Sequence, residues 1–571
     1  MPRLRTCTSK EVSAIILNER TATARAARPS RNQSARRRMA FSMAKFVTVE
    51  EAVSHVGDGM TMMLGGFSTY GSPEELLIGL AKRYEETGHP KNLSIVSGIT
   101  PGDKSESYEP LKGYNVGLNL LRAEGMISSV RIALADARAI GYKIQENKIA
   151  GYLYPMGVLL NLTRAIAGGA PGLITKVGLG TFCDPRNEGC AVNEIAQQMG
   201  SVVELMEIDG KEYLFYKAFK PDVAFIRGTY ADEDGNISIE QEALIGAELE
   251  MAAAVRNNGG KVIFQVAEIV RRGSIPAKNV RFHSSFVDYI IKAQDPDNHR
   301  QCYITPKYRP ELTGELRTAT GAGTAMKLDL RKVIARRGAM ELTPGAVINC
   351  GVGIPAAVSN VADEEGIAGS FVTSVESGPM GGVIQDGLAF PGVANAEAIY
   401  TQTDILNMYG GGLLDMTFLG SAEIDESGNV NVSKFAGRSG GPGGFIDISQ
   451  NAKKVVFVGM FTAGRPKPDI GIVDGSLKIN SDGAEIKYVK VVQQITFSGS
   501  QALKNGQEVL FISERAVFKL TEDGVTLIEI APGVDLEKDV LGKMEFKPII
   551  SDDLKLMDAR LFREGLVGLG E

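Results

Sequence analysis

Glu376 stands in the segment Ser374-Val375-Glu376-Ser377-Gly378-Pro379-Met380-Gly381-Gly382. The apolar run Phe371-Val372-Thr373 ahead of it predicts a short buried strand. Gly378-Pro379 and two further glycines end regular structure behind it. A carboxylate is thereby held where a strand breaks, among residues that leave space beside it, with no Lys or Arg nearby in sequence to pair with it. An ionised carboxylate so placed can attack an acyl carbon as a nucleophile. The plain alternative is a strand-end Glu facing solvent. The histidines His55, His89, His283 and His299 sit in polar or turn-like contexts and read as surface residues. None has HExxH spacing or neighbours a GxSxG elbow. A carboxylate nucleophile needs no histidine partner.

The elements that must hold this residue repeat along the chain. Thr48-Val49-Glu50-Glu51 is a capping box that opens a short helix. Met60 to Leu64 reads as a buried strand, followed by Gly65-Gly66-Phe67-Ser68-Thr69-Tyr70-Gly71. A helix is predicted next, capped by Ser72, with Pro73 in its first position, Glu75 closing a capping box and Gly88 at its end. Strand, glycine-rich loop, helix returns at Ala346-Val347-Ile348-Asn349-Cys350-Gly351-Val352-Gly353-Ile354-Pro355. A second block repeats without gaps: Phe225-Ile226 matches Phe418-Leu419, Asp232 to Ile237 matches Asp425 to Val430, and Lys261 to Phe264 matches Lys454 to Phe457. The expected fold class is therefore α/β: two tandem, related domains in one fused chain, each a mostly parallel sheet flanked by helices. We assign residues 43–275 to the first domain, 276–330 to a connector containing Pro276, Pro296, Pro306, Pro310 and a glycine-rich stretch at 318–323, and 331–571 to the second. Ligand clefts in such folds form at the carboxyl ends of strands and between domains, which suits Glu376.

Composition sets the outer limits. Gly makes up 66 of 571 residues, above the usual share of about 7%, which calls for many tight turns. No run approaches the ~18–20 apolar residues of a membrane span. The five cysteines, Cys7, Cys183, Cys190, Cys302 and Cys350, are odd in number and without a CxxC pair. They point to a reducing compartment and away from a zinc cluster. Residues 1–42 carry ten Lys/Arg against Glu11 and Glu19, a balance of +8 that leaves −14 on the rest of a chain of formal charge −6. This basic extension is expected to be disordered, either upstream of a natural start at Met43 or a mitochondrial transit segment. The acidic body argues against nucleic acid as a partner. Neither glycine turn completes the GxGxxG of a dinucleotide site, because Ser68 and Ala356 stand where glycines should be.

With these motifs in view the chain resembles the family I coenzyme A-transferases. The resemblance rests on Asp58-Gly59, Gly65-Gly66-Phe67, Gly71-x-Pro73, Gly178-Leu179-Gly180-Thr181-Phe182, Gly351-Val352-Gly353, the Glu376 segment, Gly440-Gly441-Pro442-Gly443-Gly444-Phe445-Ile446-Asp447 and Glu529-Ile530-Ala531-Pro532-Gly533. It covers roughly residues 45–565 and is nearest to the single-chain bacterial branch acting on acetate and propionate. Val375-Glu376-Ser377-Gly378 departs from the Ser-Glu-Asn-Gly usual in the 3-oxoacid branch, which disfavours a 3-oxoacid acceptor. The resemblance implies ping-pong exchange of CoA between an acyl-CoA and a free short-chain carboxylate through a glutamyl-CoA thioester on Glu376. CoA would be a substrate, with no permanently bound cofactor and no metal. It also implies a homotetramer or homodimer in the cytoplasm, or in the mitochondrial matrix if residues 1–42 are a targeting segment. The alternatives are an acyl-CoA hydrolase using the same Glu and a succinyl-CoA:3-oxoacid CoA-transferase. A tetrahedral oxyanion at each step needs preorganised donors, which glycine turns can supply from the main chain. Val352 and Gly353 are the first candidates for that role and Gly443 and Gly444 the second; an ordinary tight turn is the alternative for each.

Overall fold

In a computed structural model, residues 44–102, 116–303, 306–319, 326–435 and 437–570 are described. The basic extension and most of the stretch 318–323 lie outside them. Apolar segments bounded by glycine turns form an eight-stranded sheet from β1 (Lys45–Phe46), β2 (Thr61–Leu64), β3 (Leu93–Ile99), β4 (Ile127–Leu134), β5 (Ala150–Leu153), β6 (Val223–Asp232), β7 (Lys261–Val270) and β8 (Tyr289–Lys292). Their order is β1-β8-β7-β6-β2-β3-β4-β5 and all pairs are parallel. A second eight-stranded sheet is built from β9 (Val347–Cys350), β10 (Val372–Thr373), β11 (Met416–Leu419), β12 (Lys454–Val458), β13 (Glu508–Ile512), β14 (Ala516–Thr521), β15 (Gly524–Ile530) and β16 (Ile549–Leu556). Its order is β10-β9-β11-β12-β13-β14-β15-β16. The first five strands pair in parallel, and β14 is antiparallel to both β13 and β15.

The repeat seen in the sequence is a repeat of hydrogen bonds. Asp232 Oδ1 accepts from the N–H groups of Asp234 (3.0 Å) and Asn236 (2.9 Å), and its Oδ2 from Asn236 Nδ2 (3.1 Å). Asp425 does the same with Ser427, Asn429 and Asn429 Nδ2, each at 3.0 Å. Asp222 Oδ2 receives the N–H of Thr61 at the start of β2 (3.0 Å), and Asp415 Oδ2 that of Val347 at the start of β9 (2.9 Å). Carboxylates that gather backbone donors fix turn geometry, so the two halves share a frame even where their surfaces differ.

Three local expectations change in three dimensions. Part of the span 276–330 is not connector: Tyr289-Ile290-Ile291 is buried, and β8 inserts between β1 and β7. Flanking prolines and polar runs masked this short apolar strand. Helix Glu74–Thr87 ends at Gly88 with φ +71°, as expected, but Ser72 does not cap it. Ser72 Oγ donates to Glu74 Oε2 (2.8 Å), and the first-turn N–H of Glu75 is met by Gln265 Oε1 of β7 (2.9 Å). A tertiary partner has replaced the local cap. His55 and His299 are not plain surface residues either. His55 stacks on Tyr289 with centroids 4.0 Å apart. His299 lies 3.2 Å from Gln265 Nε2, and burial holds its pKa well below the ordinary value. At the helix Val49–Ser54, Thr48 caps as expected, with Oγ1 accepting from Glu51 N (3.2 Å).

Residues Ala44–Glu571 form one compact unit. One apolar cluster runs through the first sheet and on to Ile446, Phe457 and Phe511 of the second. Another, with Val333, Val358 and Phe418, covers the second sheet's other face. Among the described residues no helix is long and apolar enough to cross a membrane.

Candidate active site

Glu376 occupies the tip of a tight turn at the end of β10. Ser374 N–H still pairs with Ile348 O (2.8 Å), then Val375 N–H turns back to Pro379 O (3.0 Å) and Gly378 N–H to Val375 O (2.9 Å). Gly378 has φ +120°, and a Cβ there would lie 2.1 Å from Tyr400 O, so the turn requires glycine. Ser377 Oγ anchors the turn to Pro391 O (3.1 Å). Glu376 is half-buried between the flanking buried residues Val375 and Ser377.

Behind the carboxylate lies a buried polar group. Asn349, at the end of β9, donates Nδ2 to Ser374 O (3.1 Å) and approaches Glu376 Oε2 at 3.4 Å. Ser374 Oγ and Tyr409 Oη are 2.7 Å apart. Burial pushes the Tyr409 hydroxyl pKa up, and the nearby Glu376 charge pushes it the same way, so the phenol stays protonated. Asn349 was not legible as a site residue: it sits within a short, otherwise apolar strand, and only the β9–β10 pairing brings it under Glu376.

Glu376 opens into a cavity of about 530 Å³ at the carboxyl ends of strands from both sheets. The first half contributes Phe67, Ser68 and Thr69 after β2, Ile99 of β3, and Leu134 and Asp136 at the end of β4. Thr69 Oγ1 donates to Leu388 O (2.7 Å) and Tyr70 Oη to Ala389 O (2.5 Å), so the loop after β2 clamps the loop carrying Leu388, Phe390 and Pro391. Four of the five residues proposed from sequence meet here: Glu376, Val352, Gly443 and Gly444. Gly353 does not line the cavity. It caps the helix Ile354–Glu364 with φ +87°, and its carbonyl accepts from Arg331 Nη2 (2.9 Å).

Gly443 is a correction. Its N–H is engaged by Ala133 O (2.9 Å) and its carbonyl by Met156 N–H (3.0 Å), while Ala135 N–H reaches Gly440 O (2.9 Å). A Cβ on Gly441 would sit 2.3 Å from Ala133 O. The glycine run is a seam to the end of β4, so Gly443 has no hydrogen to offer an oxyanion. Gly444, one residue on, abuts Glu376: a Cβ there would be 3.1 Å from Glu376 Cγ.

The seam ends in a buried acid. Asp447 Oδ2 accepts from Gly157 N–H (3.0 Å) at the start of the helix Met156–Ala167. Burial raises its pKa to about 7, against the pull of backbone donors at Gly157 and Met156. The folded chain thus holds this proton more tightly than the unfolded chain does. That stability is complete below the unfolded value near 4 and is lost as pH rises through about 7. The parent is therefore expected to lose about 2 kcal/mol between about pH 5.5 and about pH 8 through this group. Asp447→Asn removes that loss, which urea midpoints at the two pH values will measure.

A family model for coenzyme A transferase matches residues 46–293. Caffeate CoA-transferase of Acetobacterium woodii is 43% identical over 535 residues, 92% of this chain and 99% of that protein. Acetate CoA-transferase YdiF of Escherichia coli (strain K12) is 41% identical over 524 residues, 91% and 96% of the two chains. The crystal structure of acyl-CoA transferase YdiF from E. coli O157:H7, in a thioester complex with CoA, superposes with a TM-score of 0.84 at 40% identity, covering 92% of this chain and 98% of that one. With relatives more than 40% identical and matched along nearly their whole length, the chain belongs to the coenzyme A transferase family.

Proposed function

We propose that the protein moves CoA between a short-chain acyl-CoA and a free carboxylate such as acetate or propionate, with Glu376 as the covalent carrier. The observation that carries this reading is the position of Glu376, at a turn tip in a cavity whose charged lining, among the described residues, is Glu376 and Asp136. An oxygen of Glu376 attacks the thioester carbonyl, the C–S bond breaks and CoA thiolate leaves a mixed anhydride. The thiolate then attacks the Glu376 carbonyl and expels the acyl group as a carboxylate. The acceptor acid enters and the two steps run in reverse, so no proton need be stored and no histidine is required.

Val352 and Gly444 are the main-chain donors we assign to the oxyanions; Asn349 steadies the carboxylate. Losing one such donor typically costs about 3–4 kcal/mol of barrier. A second cavity of about 460 Å³ meets the first at Val352 and Phe390 and has Arg331 in its wall, which offers the long CoA arm a way out. CoA is a substrate in this scheme, and the chemistry calls on no resident cofactor. The reading carries with it a homodimer or homotetramer and a cytoplasmic, reducing setting. The four described cysteines, Cys183, Cys190, Cys302 and Cys350, form no disulfide, in keeping with that setting.

Incubation with acetyl-CoA followed by peptide mass spectrometry tests the proposal. A CoA adduct on the peptide holding Glu376 is expected. Added propionate should then yield propionyl-CoA, whereas release of free CoA alone would identify a hydrolase.

A further inference from the structure

We infer that Tyr409 is a positioning residue for Glu376, and that through it the helix Gln402–Gly410 carries the seating of the first half to the nucleophile; this rests on the transferase reading above. Tyr409 stands behind the site, not in it. Neither it nor Ser374 lines the cavity of about 530 Å³ or the one of about 460 Å³. Both side chains are fully buried, and their hydroxyls lie 2.7 Å apart. Among the described residues this is the one hydrogen bond of Ser374 Oγ. The Ser374 carbonyl accepts from Asn349 Nδ2 at 3.1 Å, while the contact of Asn349 with Glu376 Oε2 is longer, at 3.4 Å. Asn349 Oδ1 has no partner among the described residues. The amide is therefore anchored through Nδ2, and chiefly on Ser374. Where Ser374 sits, Asn349 follows, and with it one oxygen of Glu376. Separating the two hydroxyls would leave each buried and unsatisfied, so the pair resists displacement.

The helix that brings Tyr409 belongs to the second half in sequence but leans on the first. Gln402 N–H donates to Ile245 O (2.8 Å). Arg164 Nη2 meets Asp404 Oδ1 at 2.8 Å. At Leu406 the approach is so close that a Cβ on Gly157 would lie 2.9 Å from Leu406 Cβ. The chain entering this helix also holds the Glu376 turn from its other side, with Tyr400 N–H donating to Gly378 O (3.0 Å). One helix thus grips the turn on both flanks of Glu376, at Ser374 through Tyr409 and at Gly378 through Tyr400. The place of the nucleophile is set by how the two halves fit. The reaction requires this, because the attacking oxygen belongs to the second half while Phe67, Ile99 and Leu134 of the first half wall the cavity it faces. A misplacement of about 1 Å between nucleophile and acyl carbon costs on the order of 10²-fold in rate.

Tyr409→Phe and Ser374→Ala each delete one hydroxyl of the pair and little else. The test compares them, singly and together, in CoA transfer from acetyl-CoA to propionate. Each single variant is expected to lower kcat about ten-fold, the worth of one net hydrogen bond. The KM of either substrate should stay within about two-fold, as for an interaction that aims the nucleophile and binds no substrate. The double variant should lose no more than the worse single variant, because the two hydroxyls act through one bond. The CoA adduct on Glu376 should form more slowly by a similar factor. The proposal is overturned if Tyr409→Phe keeps the parent kcat, if the loss appears in KM, or if the two losses multiply to about a hundred-fold in the double variant. A loss that merely follows the folded fraction at the assay temperature, read from thermal unfolding, overturns it too. Absence of a CoA adduct on Glu376 in the parent would instead sink the transferase reading itself, so the two failures are told apart.

Discussion

Glu376→Ala is expected to lower kcat/KM for CoA transfer by at least about 10⁴-fold, about 5.5 kcal/mol of transition-state stabilisation, and to abolish the CoA adduct. Two further donors and a shaped cavity remain in the variant, but none of them can form the anhydride bond. The fold should survive. The turn is held by Gly378, Ser377 Oγ and main-chain bonds at Val375, and none of these uses the Glu376 side chain. Thermal unfolding close to the parent's is therefore part of the expected result. Glu376→Asp gives a graded version. It keeps the charge but draws the carboxylate back by one methylene, away from Asn349 and from the acyl carbon. Displacements on the order of 1 Å cost about 10²-fold in well-oriented reactions, so an intermediate rate with a detectable adduct is expected. Transfer by Glu376→Ala at the parent rate would show that the acyl group is carried elsewhere.

That Glu376 could be singled out in one dimension as the nucleophile we propose has a physical cause. A reactive carboxylate needs a strand to position it, a break to expose it and small neighbours to admit a substrate, and Phe371 to Gly382 writes all three locally. The duplication was legible for a similar reason. The caging acids Asp232 and Asp425 each bind residues within four positions of themselves, so their turns leave a compact signature. What could not be read depends on distant partners. Gln265 caps a helix 190 residues away in the chain. Ala133 takes up the Gly443 hydrogen, which turned a proposed oxyanion donor into a seam. Asn349 reaches Glu376 through sheet pairing across 27 residues. The part of the cavity wall made by Phe67, Ser68, Thr69, Leu134 and Asp136 belongs to the other half altogether, and the glycine-rich loop after β2 does not by itself say that it faces Glu376.

Gly444→Ala should be the most damaging change that leaves every reacting atom in place. Gly444 has φ −83° and ψ −2°, which alanine adopts freely, so the backbone has no reason to move. The added methyl, however, would stand 3.1 Å from Glu376 Cγ and 3.4 Å from Glu376 Cβ. The carboxylate must yield, and it yields away from the Gly444 N–H that we assign to the oxyanion. A loss of about 10²-fold in kcat/KM is expected. Stability should be unchanged or slightly higher, because alanine at a compatible site narrows the unfolded ensemble by about 0.4–1 kcal/mol. Gly353→Ala is the instructive contrast. A Cβ there meets nothing within 4 Å, but φ is +87°, so the cost falls on the backbone and on stability. Activity and stability should separate in opposite senses in the two variants. If Gly353→Ala, at temperatures where it is folded, loses as much turnover as Gly444→Ala, then the donors that matter lie in the first turn of the Ile354–Glu364 helix and the assignment to Gly444 falls.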